Sequence, residues 1–258
     1  MTNDKTLLRP GSQTRTSLIE PLLRAMPNGP RLVGTSVHHS VAQEIGSRIV
    51  RGEFPEGASL PNEAQWGEYF GVSRSAVREA IKILMAKGLL SSRPKVGTWI
   101  ETRDRWNLLD RDVLSWYASA PDAMGFLRTV QEFRYIIEPE AAALAAERRT
   151  EEEMVEITRA LNGMGNAPTL SDRTRSDTQF HLAILKATHN ELLIPLGTLI
   201  ESALNNLFVY VTREANSLIY AQELHAAIEE QIRLQNPEAA RQAVRTLLRD
   251  TDAMILRN

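Results

Sequence analysis

Within three residues, Gly71-Val72-Ser73, one helix ends and another begins, and no other feature of the chain constrains its fold as tightly. Gly71 is a C-terminal stop, and Ser73 is a good N-cap. Upstream, Leu60-Pro61-Asn62-Glu63 reads as a helix start, with Trp66, Tyr69 and Phe70 as core positions. Downstream, Val77, Ile81 and Leu84 fall on one face of a helix spanning Ser73–Lys87 and ended by Gly88. Ahead of both, Val37, Val41, Ile45 and Ile49 recur at four-residue spacing in a helix over Ser36–Arg51. Leu89 to Ser92 is extended, Arg93-Pro94-Lys95-Val96-Gly97 turns, and Thr98-Trp99-Ile100 returns. Helix, helix, tight turn, helix and β-hairpin make a winged helix-turn-helix over residues 36–103.

The rest of the chain has a different character. Residues 1–35 are punctuated by Pro10, Gly11, Pro21, Pro27, Gly29 and Pro30, and read as a poorly ordered leader. Residues 104–121 read as a linker with a short helix, and 122–258 as an all-helical domain. Helices are expected at roughly 110–119, 122–148, 150–163, 170–188, 191–214, 217–235 and 237–256. Asn190 and Pro237 open helices in this reading, and Gly163, Gly165 and Pro168 mark a loop. The fold class is therefore mainly α, a winged helix followed by a bundle of six or seven helices.

Composition removes several function classes. With 43% hydrophobic and 24% charged residues, the chain is neither disordered, collagen-like nor a simple coiled coil. It has no cysteine, which excludes disulfides, thiolate metal sites and cysteine nucleophiles. No apolar run approaches the roughly 20 residues that span a bilayer, and no secretory h-region opens the chain. A cytoplasmic protein without a membrane partner is the expectation. No phosphate loop, dinucleotide fingerprint or plausible nucleophile–base pair is present, so the chain does not read as an enzyme.

A net charge of -2 hides an asymmetry. Residues 36–103 hold nine bases and seven acids, while 104–258 hold sixteen bases and twenty-three acids. Ser73–Lys95 alone carries six bases (Arg74, Arg78, Lys82, Lys87, Arg93, Lys95) against Glu79. A duplex major groove admits one α-helix, and the first turns of that helix reach base edges. Ser73, Arg74 and Ser75 occupy that first turn here, with Arg78 one turn on and on the face of Arg74. Arginine grips guanine bidentately, while serine hydroxyls and exposed backbone amides suit phosphate. Arg93 and Lys95 sit at the wing tip, where they would meet the neighbouring backbone or minor groove. Any one of these residues alone is better read as a solvated surface charge; the combination points to double-stranded operator DNA.

The run from Val72 through Ser73-Arg74-Ser75-Ala76-Val77-Arg78-Glu79-Ala80, continued by Leu84-Met85-Ala86-Lys87-Gly88-Leu89-Leu90, resembles the signature of GntR-family transcription regulators. Ile49 through Pro61 is similar to the same family's first helix and turn. That resemblance implies a winged helix joined to a variable effector domain, with Arg74 and Arg78 as operator-reading arginines. Ala64 stands where many members place a polar or basic phosphate contact, and Val96 where a wing glycine is common.

Most of 122–247 resembles the all-helical FCD domain of the FadR subfamily. Glu132, Arg134 and Glu138 with Ala141, Ala142, Ala145 and Ala146 look like its first long helix. Asp177, Phe180 and His181 followed by Asn190 look like its central helix, and His225, Ile228 and Ile232 with Pro237 and Ala240 like its last pair. Asp177 and His181 stand four apart on one helical face, a spacing that chelates a divalent metal such as Zn, Ni or Mn. The resemblance matches His225 as a third ligand. The family's spacing for a fourth, a histidine, lands on Leu247. Two outcomes stay open: a three-ligand metal with free positions for an effector, or a metal-free polar pocket. The resemblance turns Arg134 toward the same cavity, where a guanidinium clamps a carboxylate; an intrahelical pair with Glu138 is its alternative. Effector binding is thus assigned to Arg134, Asp177, His181 and His225.

The segment Arg105-Trp106-Asn107-Leu108-Leu109-Asp110 with Asp112, Val113, Leu114 and Trp116 resembles the linker of sugar-acid repressors of the galactonate-operon type. The expectation is a homodimeric repressor of aldonate or hexuronate catabolism, released from its operator by a small carboxylate; activation is not distinguishable from repression at this level. A metal-dependent all-α enzyme with a two-histidine, one-carboxylate site is the competing reading.

Overall fold

The computed structural model describes residues 36–93, 97–211 and 215–256, with the side chains of 206–217 and 254–256 excepted. The leader and the wing tip, Lys95 included, lie outside the described residues. The chain divides into two compact units, Met1–Asn107 and Leu108–Asn258.

In the first unit, helix α1 (Val37–Val50) is followed by α2 (Glu63–Phe70) and α3 (Arg74–Ala86). Asn62 caps α2 through a capping box with Gln65, which satisfies two otherwise orphaned donors. Gly71 then takes the left-handed conformation, φ 66°, that only glycine adopts without cost, and reverses the chain. Ser73 Oγ accepts the Ala76 amide hydrogen bond and opens α3. The Val72 amide donates to the Gly67 carbonyl at 2.9 Å, and a Cβ on Gly67 would lie 3.0 Å from the Val72 carbonyl oxygen. The core is Ile45, Ile49, Trp66, Phe70, Val77 and Leu84, all buried. Trp66 and Phe70 stack with centroids 5.3 Å apart. Tyr69 is only half-buried; its hydroxyl accepts from Arg48.

The wing is a two-stranded antiparallel sheet, β1 (Leu90–Arg93) with β2 (Gly97–Ile100), Leu90 opposite Ile100 and Arg93 opposite Gly97. A third extended segment, not anticipated from sequence, runs along the other edge of β2: the Leu60 amide donates to the Thr98 carbonyl and the Ile100 amide to Ala58. Residues 101–107 then fold back onto the end of α3. The Asn107 amide donates to the Lys87 carbonyl at 2.9 Å, and buried Trp106 donates its indole N–H to the Glu101 carbonyl. Residues 104–107, read from sequence as linker, thus pack within the first unit.

This return demands Gly88. Its φ is +77°, and a Cβ there would lie 2.2 Å from the Arg105 carbonyl oxygen. Gly88→Ala is expected to cost on the order of 2–3 kcal/mol, the sum of left-handed strain and a backbone clash. The readout is the urea midpoint of the winged-helix unit, and an unchanged midpoint would show that 101–107 is not seated there.

Among the described residues the second unit has helices and no strands: α4 (Arg111–Ala118), α5 (Ala123–Arg148), α6 (Glu151–Gly165), α7 (Leu170–Ala187), α8 (Gly197–Val211), α9 (Ala215–Arg233) and α10 (Pro237–Leu256). The longest, α5, packs most extensively on α10, and α6 on α7. Ala141, Ala142, Ala145 and Ala146 form a small-residue face that lets neighbours approach α5 closely. Ile157, Phe180, Ile200, Ile228 and Leu248 fill the centre.

Two local expectations need correction. Gly163 and Gly165 do not mark a loop: α6 runs through both. A Cβ on Gly163 would lie 2.9 Å from Ser176 Oγ, and one on Gly165 3.2 Å from Gln222 Nε2, so these glycines serve close helix packing. Asn190 does not open α8. His189 has φ 52°, Asn190 Oδ1 accepts the Leu192 amide, and a 3₁₀ turn with Pro195 intervenes before Gly197. Pro237 does open its helix, where its missing N–H is harmless.

Candidate functional site

Ser73, Arg74, Ser75 and Arg78 are all exposed on the first two turns of α3, while Val77, Ala80, Ile81 and Leu84 of the same helix are buried. The amphipathic division thus turns both arginines outward, as the spacing required. The Ser73 and Ser75 hydroxyls lie 2.9 Å apart. Arg78, with 64% of its side chain exposed, has Nε 3.7 Å from a Glu63 carboxylate oxygen at the start of α2. That loose, hydrated pair is worth little and leaves the fork available. Arg93 is exposed at the end of β1, its guanidinium 5.5 Å from the Trp99 ring centroid. A stack of this kind holds the charge at the turn end of the wing strands.

The second unit brings Asp177, His181 and His225 together. Helix α7 places Asp177 and His181 one turn apart, and α9 brings His225 across to them. Their ligand atoms all lie within 4.8 Å of one another. His225 Nδ1 lies 2.6 Å from the Ala221 carbonyl, to which its N–H donates, so Nε2 faces Asp177 Oδ1 at 3.1 Å. His181 Nδ1 lies 3.0 Å from Glu138 Oε2. Its Nε2 is 3.3 Å from Asp177 Oδ1, but out of line, and makes no hydrogen bond although buried. Both Nδ1 atoms are thus engaged by fixed acceptors, and both Nε2 atoms converge on one carboxylate oxygen. A buried, unsatisfied ring nitrogen next to a second imidazole and a carboxylate fits a divalent cation.

Glu138 was not singled out as a member of this site. The sequence offered a signal, the Arg134/Glu138 pair at four-residue spacing, but not the reach of its second oxygen to another helix. Arg134 is 1% exposed. Its Nε donates to Glu138 Oε1 at 2.5 Å, its Nη2 to Oε2 at 3.3 Å, and its Nη1 to Gln131 at 3.0 Å. Gln131 continues the network to Asp252 on α10. Leu247, at the position of the family's further histidine, is buried among apolar side chains.

The electrostatics follow from this packing. Burial opposes charge on every member, and the partners overcome it. Glu138 is held down at about 2 against burial by the Arg134 guanidinium and by His181. His181 rises to about 9 against burial because the negative charges of Glu138 and Asp177 favour its protonated form. Asp177 stays far below the usual carboxylate range, against burial, because both imidazoles face it. Without a cation, a proton on His181 answers the carboxylates; a metal would have to displace it.

A winged helix with outward arginines, in one chain with a helical unit that buries an Asp/His/His cluster, has the organisation of a DNA-binding regulator. Residues 38–100 match the model of the bacterial regulatory proteins of the gntR family, and residues 129–250 the FCD domain. The HTH-type transcriptional regulator YieP of Escherichia coli K12 is 31% identical over 220 residues, 84% of this chain and 94% of that protein. The galactonate operon transcriptional repressor of the same organism is 35% identical over 207 residues, 79% of this chain and 90% of that one. Among solved structures, that of Lar, described as controlling expression of the Listeria monocytogenes agr system, has a TM-score of 0.61 over 88% of this chain and 99% of that one, at 18% identity; this speaks for the fold. The chain belongs to the GntR family and carries an FCD domain, and it is a transcriptional regulator rather than an enzyme. Among the described residues no helix is long and apolar enough to cross a membrane.

Proposed function

We propose that this regulator is a homodimeric, cytoplasmic repressor of sugar-acid catabolism, released from its operator by an aldonate such as galactonate or by a hexuronate. Each protomer offers one α3 helix to a half-site of a near-palindromic operator. Arg74 and Arg78 read base edges; Ser73 and Ser75 with the first amides of α3 take phosphate; Arg93 and Lys95 follow the backbone beside the wing. The exposure of both arginines on the face of α3 opposite buried Val77, Ile81 and Leu84 supports this reading, as does the 35% identity to a galactonate operon repressor.

The effector half rests on one observation above all, the buried cluster in which two imidazole Nε2 atoms converge on Asp177. Asp177, His181 and His225 hold the divalent metal, and three protein ligands leave positions free for an acid's oxygens. The metal, when bound, supplies a Lewis-acidic centre that grips carboxylate and adjacent hydroxyl. Glu138 fixes the His181 ring and keeps its Nε2 for the metal. Arg134 reinforces Glu138, and an effector carboxylate reaches it only by exchanging with that partner.

Binding acts by favouring a dimer geometry that no longer fits the half-site spacing. A hundredfold loss of operator affinity needs about 2.7 kcal/mol of coupling. The test is a gel-shift titration of the full chain on its operator with galactonate, glucuronate and galactose. Release by an acid but not by the neutral sugar is the expected result. Retention of the complex at millimolar levels of every acid would overturn the effector assignment.

A further inference from the structure

We propose that Arg173 is a carboxylate-binding residue of the effector site, receiving the acid group of the ligand beside the metal cluster; this rests on the sugar-acid reading above. Arg173, Asp177 and His181 stand at successive four-residue steps along α7, so their side chains form one row. Exposure falls along that row: Arg173 is partly exposed, the Asp177 side chain is 23% exposed and that of His181 4%. The row therefore leads from the surface to the buried cluster, with a guanidinium at its outer end.

The two arginines near the site differ in what already occupies them. Arg134 is sealed and neutralised by a carboxylate at 2.5 Å. Arg173 donates from Nη1 to the Met164 carbonyl at 3.1 Å and from Nη2 to the Leu218 carbonyl at 2.9 Å. Both acceptors are neutral, and no carboxylate of the described residues lies within ion-pair distance. Of the five N–H groups of a guanidinium, three are left over. The two carbonyls, from the last turn of α6 and the first of α9, fix its plane, and a preoriented fork loses little freedom on binding an acid.

Charge supplies the second reason. Burial lowers the pKa of Arg173, and the nearby charge of Asp177 is what opposes this. A dication on the cluster draws on that same carboxylate. The loaded site then sets a dication and a half-buried guanidinium against one formal negative charge, with Arg134 and Glu138 cancelling each other. An anion completes it. The ligand class that follows is a 2-hydroxy acid, whose carboxylate would meet the Arg173 guanidinium and whose neighbouring oxygens would suit a divalent metal held by Asp177, His181 and His225.

The experiment uses the full chain loaded with Zn²⁺ and compares Arg173→Met with Arg173→Lys. Calorimetry measures D-galactonate binding, and Zn²⁺ affinity and operator binding are measured on the same preparations. The expected result for Arg173→Met is at least a tenfold loss of galactonate affinity, with Zn²⁺ and operator affinities within twofold of wild type. Arg173→Lys, which keeps the charge without the fork, is expected to recover part of the loss. Wild-type galactonate affinity in Arg173→Met overturns the assignment while leaving the sugar-acid reading intact. Parallel loss of Zn²⁺ or operator binding also overturns it, showing Arg173 to be a structural pin between α6 and α9. If the wild-type protein binds neither galactonate, glucuronate nor lactate, the sugar-acid reading and this inference fall together.

Discussion

Arg74→Ala/Arg78→Ala is expected to weaken operator binding by about 30-fold to 10⁴-fold while leaving the fold unchanged. Each bidentate base contact is worth about 1–3 kcal/mol, so the pair supplies about 2–6 kcal/mol of discrimination. Neither side chain contributes to the core: both are exposed, and among the described residues Arg78 makes one loose ion pair, to Glu63. The circular dichroism spectrum and melting temperature should therefore match those of the parent. Fluorescence anisotropy at several salt concentrations separates the roles. Loss of base readout lowers affinity for the operator far more than for unrelated duplex, whereas loss of phosphate contacts lowers both and flattens the salt slope. A double variant within threefold of wild type on operator DNA would remove α3 from the interface.

Glu138→Ala is expected to have the largest effect in the second unit, a loss on the order of 3–5 kcal/mol. The substitution does more than delete a contact. It leaves Arg134, 1% exposed, as a buried cation whose remaining hydrogen-bond partner among the described residues is Gln131, and takes away the acceptor for His181 Nδ1. Urea denaturation of the metal-free protein reads the stability term directly. Zn²⁺ affinity should fall as well, by about 10–100-fold, because the imidazole loses its orienting partner. A control separates the buried charge from the shape: Glu138→Ala combined with Arg134→Met removes both partners and is expected to recover much of the stability but not the Zn²⁺ affinity. Equal stability of Glu138→Ala and wild type would refute the network.

Much of this was legible in the residues. The Gly71–Ser73 junction and the apolar faces of three short helices specify the first unit, because a left-handed stop and a serine cap leave little choice of turn. Asp177 and His181 are visible as a pair at helical spacing. Their union with His225 came from a family likeness, since no local pattern says which distant helix crosses α7. Glu138 went unassigned for the same reason: its second oxygen is committed across the bundle, and spacing within one helix cannot reveal that. Gly163 and Gly165 misled because a glycine that permits close helix approach looks, in sequence, like one that ends a helix. The fold-back of 101–107 was hidden too, since only three dimensions bring Trp106 and Asn107 to the foot of α3.

That fold-back has a mechanical meaning. The peptide oxygen of Lys87, just past the end of α3, accepts from the amide of Asn107, the last residue of the first unit. The outgoing strand therefore has no slack at its root. A displacement of Asn107 is met directly at the foot of α3, and the glycine at position 88 is the price of bringing the chain back so close.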